Sequence, residues 1–171
     1  MTPESVGPLS RPVSVAHLSD NGLEVTVEAS DDERAALARD FKLPAIHALR
    51  GHFRLTGPGE RVHVEGSVQA KVSQICVATL DPFETEIEEE VEVDFVRPGS
   101  GAADQAAPDP EADPPDEIVG DHIDLGALTA EFLALGLDPY PRKPGASFSF
   151  ETGEAGPESP FAGLKNLKGG G

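Results

Sequence analysis

The sequence predicts an α+β fold: an antiparallel β-sheet, of a kind that can close into a barrel, with two short helices and an acidic disordered linker. Three observations predict it. Residues 45–96 alternate apolar and polar side chains with period two through three long runs. Stretches beginning at Ser30 and Asp124 carry helix-start signals ahead of apolar residues at helical spacing. Residues 97–117 hold almost no large apolar side chain, and so cannot offset the entropy lost on ordering.

Residues 1–10 read as a flexible N-terminus and 11–150 as a single domain. Val13 and Val15 alternate with small residues and suggest a first strand. Leu23, Val25 and Val27 alternate with Glu24, Thr26 and Glu28 and suggest a second. Asp20-Asn21-Gly22 is turn chemistry, so these two strands are expected to form a hairpin. Ser30 and Glu33 have capping-box spacing, with acids suited to the positive end of a helix dipole. Leu37 and Phe41 share a face of this short helix, and Pro44 ends it.

In 45–56, Leu49, Gly51, Phe53 and Leu55 share one face, and Arg50, His52 and Arg54 the other. In 61–76 the apolar face is Val62, Val64, Val68, Ala70 and Val72, opposite Arg61, His63, Glu65 and Lys71. In 83–96 it is Phe83, Ile87, Val91, Val93 and Phe95. The opposite face of that last run is a row of carboxylates: Glu84, Glu86, Glu88, Glu90, Glu92 and Asp94. Arg50, Arg54, Arg61 and Lys71 are expected to compensate it partly across the sheet. Glu89 falls on the apolar face, which requires a bulge or a position at the sheet rim. After the linker, Asp124 caps a second helix over 125–136, with Leu125, Leu128, Phe132 and Leu135 as its stripe and Gly136 closing its end. Residues 151–171 read as a flexible tail.

The chain of 171 residues has 13 Lys and Arg against 31 Asp and Glu, a net charge of −18. Nucleic acid repels such a protein. A basic protein partner is electrostatically easier, and solubility alone is the plainer use of the charge. One cysteine, Cys76, excludes an internal disulfide and fits a reducing compartment. No apolar run is long enough to span a membrane, and residues 1–11 lack a signal-peptide pattern, so a cytoplasmic location is expected.

Little of the sequence points to catalysis. His52 and His63 sit on both arms of one expected hairpin with Glu65 nearby, but zinc wants three or four convergent ligands. Two half-exposed sheet histidines is the better reading. Cys76 ends a valine-rich strand, which favours a buried, inert thiol over a nucleophile. The carboxylate row is linear, whereas a divalent cation needs ligands from several directions. It reads equally as a solvated face or as a surface for a basic partner. No phosphate-cradling loop or Ser/His/Asp arrangement stands out. No metal, cofactor or catalytic residue is assigned.

Three ordered segments resemble the YceD family of bacterial large ribosomal RNA subunit accumulation proteins. The first runs from Val64 to Ala70 and on through Cys76-Val77-Ala78-Thr79-Leu80-Asp81-Pro82-Phe83. The second is Asp121-His122-Ile123-Asp124-Leu125-Gly126, leading through a helix to Tyr140-Pro141-Arg142-Lys143-Pro144-Gly145. The third is Ser159 to Lys168. Many members carry a second cysteine where this chain has Thr79, so a metal or redox role built on such a pair is not available here. The resemblance implies a non-enzymatic ribosome-biogenesis role in the synthesis, processing or stability of 23S rRNA. Combined with the charge, it implies action through a ribosome-assembly or RNA-processing protein, such as a basic ribosomal protein, with direct RNA contact left open. A generic acidic interaction module, or a chaperone for a basic protein unrelated to rRNA, is the alternative. Phe161, Leu164, Lys165 and Lys168 form a short amphipathic segment expected to dock a partner. The carboxylates of 84–94 are the other expected partner-binding residues.

Overall fold

The computed structural model describes residues 7–100, 111 and 113–146. The chain forms β1 (Pro12–Ser14), β2 (Leu23–Glu28), α1 (Asp31–Asp40), β3 (Ala45–Thr56), β4 (Arg61–Ile75), β5 (Pro82–Val96), β6 (Asp116–Glu117), β7 (His122–Asp124) and α2 (Leu125–Gly136). The main sheet has the order β2-β3-β4-β5-β6. It is antiparallel except for the short parallel pair β5–β6, and it stays open rather than closing into a barrel.

The three long strands arise from the period-two pattern. One face of β3 and β4 buries Leu49, Phe53, Leu55, Val62, Val64, Val68 and Val72, each at most 2% exposed. α2 crosses that face over β3, β4 and β5. Gly66 is required where β3 and β4 approach, because a methyl group there would lie 1.9 Å from the His52 carbonyl oxygen. Gly51 leaves space for the Phe53 ring and for the buried Thr129 of α2, whose hydroxyl donates to the Leu125 carbonyl at 2.7 Å.

Several expectations are corrected. β1 does not form a hairpin with β2. It pairs with β7, as Val13 opposite Ile123, in a separate two-stranded sheet, and β2 pairs with β3 instead. Leu9, expected in a flexible terminus, is a core residue at 1% exposure. Residues 116–117 belong to β6, so an irregular linker cannot extend to 117. The other expected linker residues lie largely outside the described residues, as does the tail. On α2 the buried side is Leu125, Gly126, Leu128, Thr129 and Leu133, while Leu135 is 68% exposed. Gly136 serves close packing: a Cβ would meet Ile87 at 2.5 Å and Glu89 at 2.8 Å. The β4–β5 register is unbroken opposite Glu89, so its side chain is accommodated at the sheet rim beside α2 and not by a bulge. The bulge lies instead in β3, between Ile46 and Ala48.

Candidate functional site: the carboxylate face and the cysteine turn

The second face of the sheet is lined by the outward side chains of β2 to β5. Glu84, Glu86, Glu88, Glu90 and Glu92 are all exposed along β5, with Asp94 half-buried at the end of the row. Their cross-strand partners decide how much of the charge is compensated. Glu84 accepts from Lys71 Nζ at 2.9 Å and lies 3.6 Å from His47. Lys71 thereby holds the Glu84 carboxyl below its ordinary range. Asp94 is bound by His63 Nδ1 at 2.9 Å and by Arg61 at 3.2 Å, and these partners lower its pKa against the effect of burial. Both ends of the row are therefore neutralised.

The middle is not. Glu86 faces Lys71, whose ammonium is bonded to Glu84, while Glu88 faces Gln69, Glu90 faces Ser67 and Glu92 faces Glu65. Glu88 takes only the Gln69 amide, at 3.2 Å. Among the described residues no ion pair reaches Glu86, Glu88, Glu90 or Glu92. The expected help from β3 is absent: Arg50 pairs with Glu28 at 3.3 Å, and Arg54 turns to the Asn21 carbonyl at 3.5 Å. β4 lies between these arginines and β5, and neither forms an ion pair with the row. Glu65 opposite Glu92 is a like-charge pair, which destabilises a sheet.

The two histidines do not converge. His63 pairs with Thr56 across the strands and His52 with Ser67. That separates the rungs by roughly 13 Å of strand. His52 hydrogen-bonds Thr26 at 3.1 Å, and His63 is held by Asp94.

The residues that carry the family resemblance come together at two places. At the β4–β5 connection, Cys76 to Asp81 forms a tight turn in which the Cys76 and Leu80 amides donate to Asp81 and Cys76 carbonyls, both at 2.8 Å. The segment around Tyr140-Pro141-Arg142 packs on this turn. Val77 N–H donates to the Pro141 carbonyl at 2.9 Å, and Lys143 reaches Asp81 at 3.2 Å. Cys76 is fully buried. The Thr79 hydroxyl and the Lys143 amide, joined by the Thr79 and Ala78 amides, bring its pKa down to about 7 against the opposing effect of burial. Burial denies the thiol access to reagents, so the turn acts as a structural clasp. Leu80 has φ +61° and is 76% exposed, and Tyr140, on the segment that packs on the turn, is 74% exposed. Pro82 and Phe83 begin β5 directly after the turn.

At the second place, Asp124 caps α2. Its Oδ1 accepts the Gly126 and Ala127 amides, both at 3.0 Å, and the Arg11 amide at 2.7 Å. Its Oδ2 accepts the Ser10 hydroxyl at 2.6 Å. Burial opposes ionisation, but the Ser10 hydroxyl and the three amides outweigh it and leave the carboxyl below its ordinary pKa. Leu125 is fully buried behind the cap, and its amide donates to the Arg11 carbonyl.

A family model described as "Large ribosomal RNA subunit accumulation protein YceD" matches residues 64–168. The match covers well over half of the chain. The chain belongs to the YceD family. No curated protein and no solved structure matches it. The YceD match takes in the carboxylate row, the cysteine turn and the Asp124 cap. It begins inside β4, so β1 to β3 and α1 lie before it. Within it, Phe161, Leu164, Lys165 and Lys168 lie outside the described residues. Sequence reasoning found the carboxylate row but missed its unpaired centre, because which cations reach it depends on strand order. It also missed the role of Ser10 and Arg11, more than a hundred residues from their partner. No helix among the described residues is long and apolar enough to cross a membrane.

Proposed function

We propose that this YceD-family chain is a non-enzymatic cytoplasmic factor that supports the synthesis, processing or stability of 23S rRNA by engaging a basic protein of large-subunit assembly. The observation that carries the reading is the unneutralised stretch of the carboxylate row, Glu88 to Glu92, with Glu65 placed opposite Glu92. Such a face repels the rRNA backbone and attracts a lysine- or arginine-rich protein surface. Family membership supplies the connection to large-subunit rRNA. The buried Cys76 and the separated His52 and His63 lend no support to a catalytic reading.

The test is affinity capture with the tagged full chain at low and moderate salt, beside a variant carrying Glu86→Lys, Glu88→Lys, Glu90→Lys and Glu92→Lys. The expected result is enrichment of large-subunit assembly proteins by the native chain, weakened by salt and lost in the variant. Capture of basic proteins without ribosomal material would favour a general chaperone for basic proteins. Equal capture by both forms would remove the carboxylate face from the account.

A further inference from the structure

The outer edge of β5 is open. β6 covers only Phe95 and Val96, and among the described residues no strand pairs with Pro82–Asp94 on the side away from β4. Among the described residues this leaves about 40 Å of strand whose outward-facing backbone donors and acceptors pair with no other strand. Edges of that length are normally blunted by bulges, prolines or charged side chains, inward-pointing ones included. Here the register with β4 is continuous and the only proline is at the first position. Every charge on the strand is a carboxylate, Glu89 on the inner face among them, which guards the edge against an acidic strand and leaves it open to a basic one. The inner face is also incomplete at this edge: Phe83, Thr85, Val93 and Phe95 are only half-buried, whereas Val62, Val64, Val68 and Val72 on β4 are fully buried. The exposed carboxylates of β5 line the outer side of the same edge.

We propose that β5 accepts an added strand from a basic partner: an extended segment with lysine or arginine at alternate positions and apolar residues between them. Its backbone would complete the hydrogen bonds of Pro82–Asp94. Its cations would stand about 5 Å from Glu86, Glu88, Glu90 and Glu92. Its apolar residues would lie beside the half-buried inner-face residues Phe83, Thr85 and Val93. The charge also selects the occupant, since a second copy of this chain pairing through β5 would set carboxylates against carboxylates. Main-chain pairing supplies affinity and the alternating side chains supply specificity. The inference rests on the reading that the carboxylate side of the sheet meets a basic protein, and it specifies how.

The test uses the full chain and four synthetic nonapeptides: alternating Lys-Val, a scrambled peptide of the same composition, and the alternating peptide N-methylated on every second amide in either of the two phases. Binding is followed by titration, and amide hydrogen exchange locates it. The alternating peptide is expected to bind and to slow exchange within Pro82–Asp94. N-methylation in one phase should weaken binding about tenfold or more, because it removes backbone donors and leaves the charge unchanged. Equal binding by all the peptides would overturn strand addition and leave a purely electrostatic contact, with the partner reading intact. Slowed exchange in Pro82–Asp94 that grows with protein concentration and without peptide would overturn the choice of occupant in favour of a second copy. Undiminished capture of assembly proteins by the charge-reversed chain would instead overturn the partner reading itself.

Discussion

At the scale of single residues, Asp124 joins three parts of the molecule: it caps α2, binds the Arg11 amide and receives the Ser10 hydroxyl. Asp124→Ala removes the cap and strands buried donors, so it should cost roughly 2–4 kcal/mol in denaturant unfolding. Asp124→Asn keeps acceptor geometry at Oδ1 and should cost less. Lys42 shows the opposite situation. It follows α1 with φ +56°, and the Leu43 amide returns to the Ala38 carbonyl in a helix-ending turn. A left-handed backbone favours glycine there, and the lysine side chain is exposed. Lys42→Gly should therefore raise stability by up to about 1 kcal/mol, measured by the same unfolding curves. Leu80 holds a comparable backbone at the cysteine turn.

At the scale of elements, the sequence was legible wherever a pattern repeats locally. The alternation in 45–56, 61–76 and 83–96 describes β3, β4 and β5 to within a residue, and both helix caps form as their residues require. Pairings between distant segments were not legible. β1 joins β7 across more than a hundred residues, and a turn sequence at Asp20-Asn21-Gly22 joins no hairpin between β1 and β2. Leu135 fits the helical stripe by number, yet α2 packs through Leu125, Thr129, Leu133 and Gly136, which turns Leu135 outward. Charge compensation followed the same rule: Lys71 and Arg61 on β4 reach β5, while Arg50 and Arg54 on β3 do not. On the proposed reading, the Glu65–Glu92 rung sets stability against binding. Glu92→Lys replaces a like-charge pair by an opposite one and should stabilise the sheet by about 0.5–1 kcal/mol. The same change should weaken capture of a basic partner. A variant both more stable and undiminished in capture would detach that rung from function.

At the scale of the whole molecule, the N-terminal segment is fastened to the domain by ionisable groups. Arg11 forms a two-point ion pair with Glu33, at 2.7 and 2.9 Å, while Glu33 also accepts the Ser30 amide of the capping box. The Arg11 hydrogen bonds, followed by the Ser30 amide, lower the Glu33 pKa from 4.5 to about 2. A depressed carboxyl stabilises the fold above its unfolded pKa and loses that contribution as pH falls through the folded value. Stability should therefore decline between about pH 4.5 and 2, and Glu33→Gln should flatten part of that decline in acid unfolding curves.

The proposed preference for a basic protein over RNA rests on the net charge of −18 and on where it is left uncompensated. The ends of β5 are neutralised, its centre is not, and its edge is unpaired. The most direct measurement is gradient sedimentation of the purified chain with precursor large-subunit particles and, in parallel, with deproteinised 23S rRNA, at about 0.15 M salt. Migration with the particles and none with the bare RNA is the predicted result. Tight migration with the bare RNA would contradict the account.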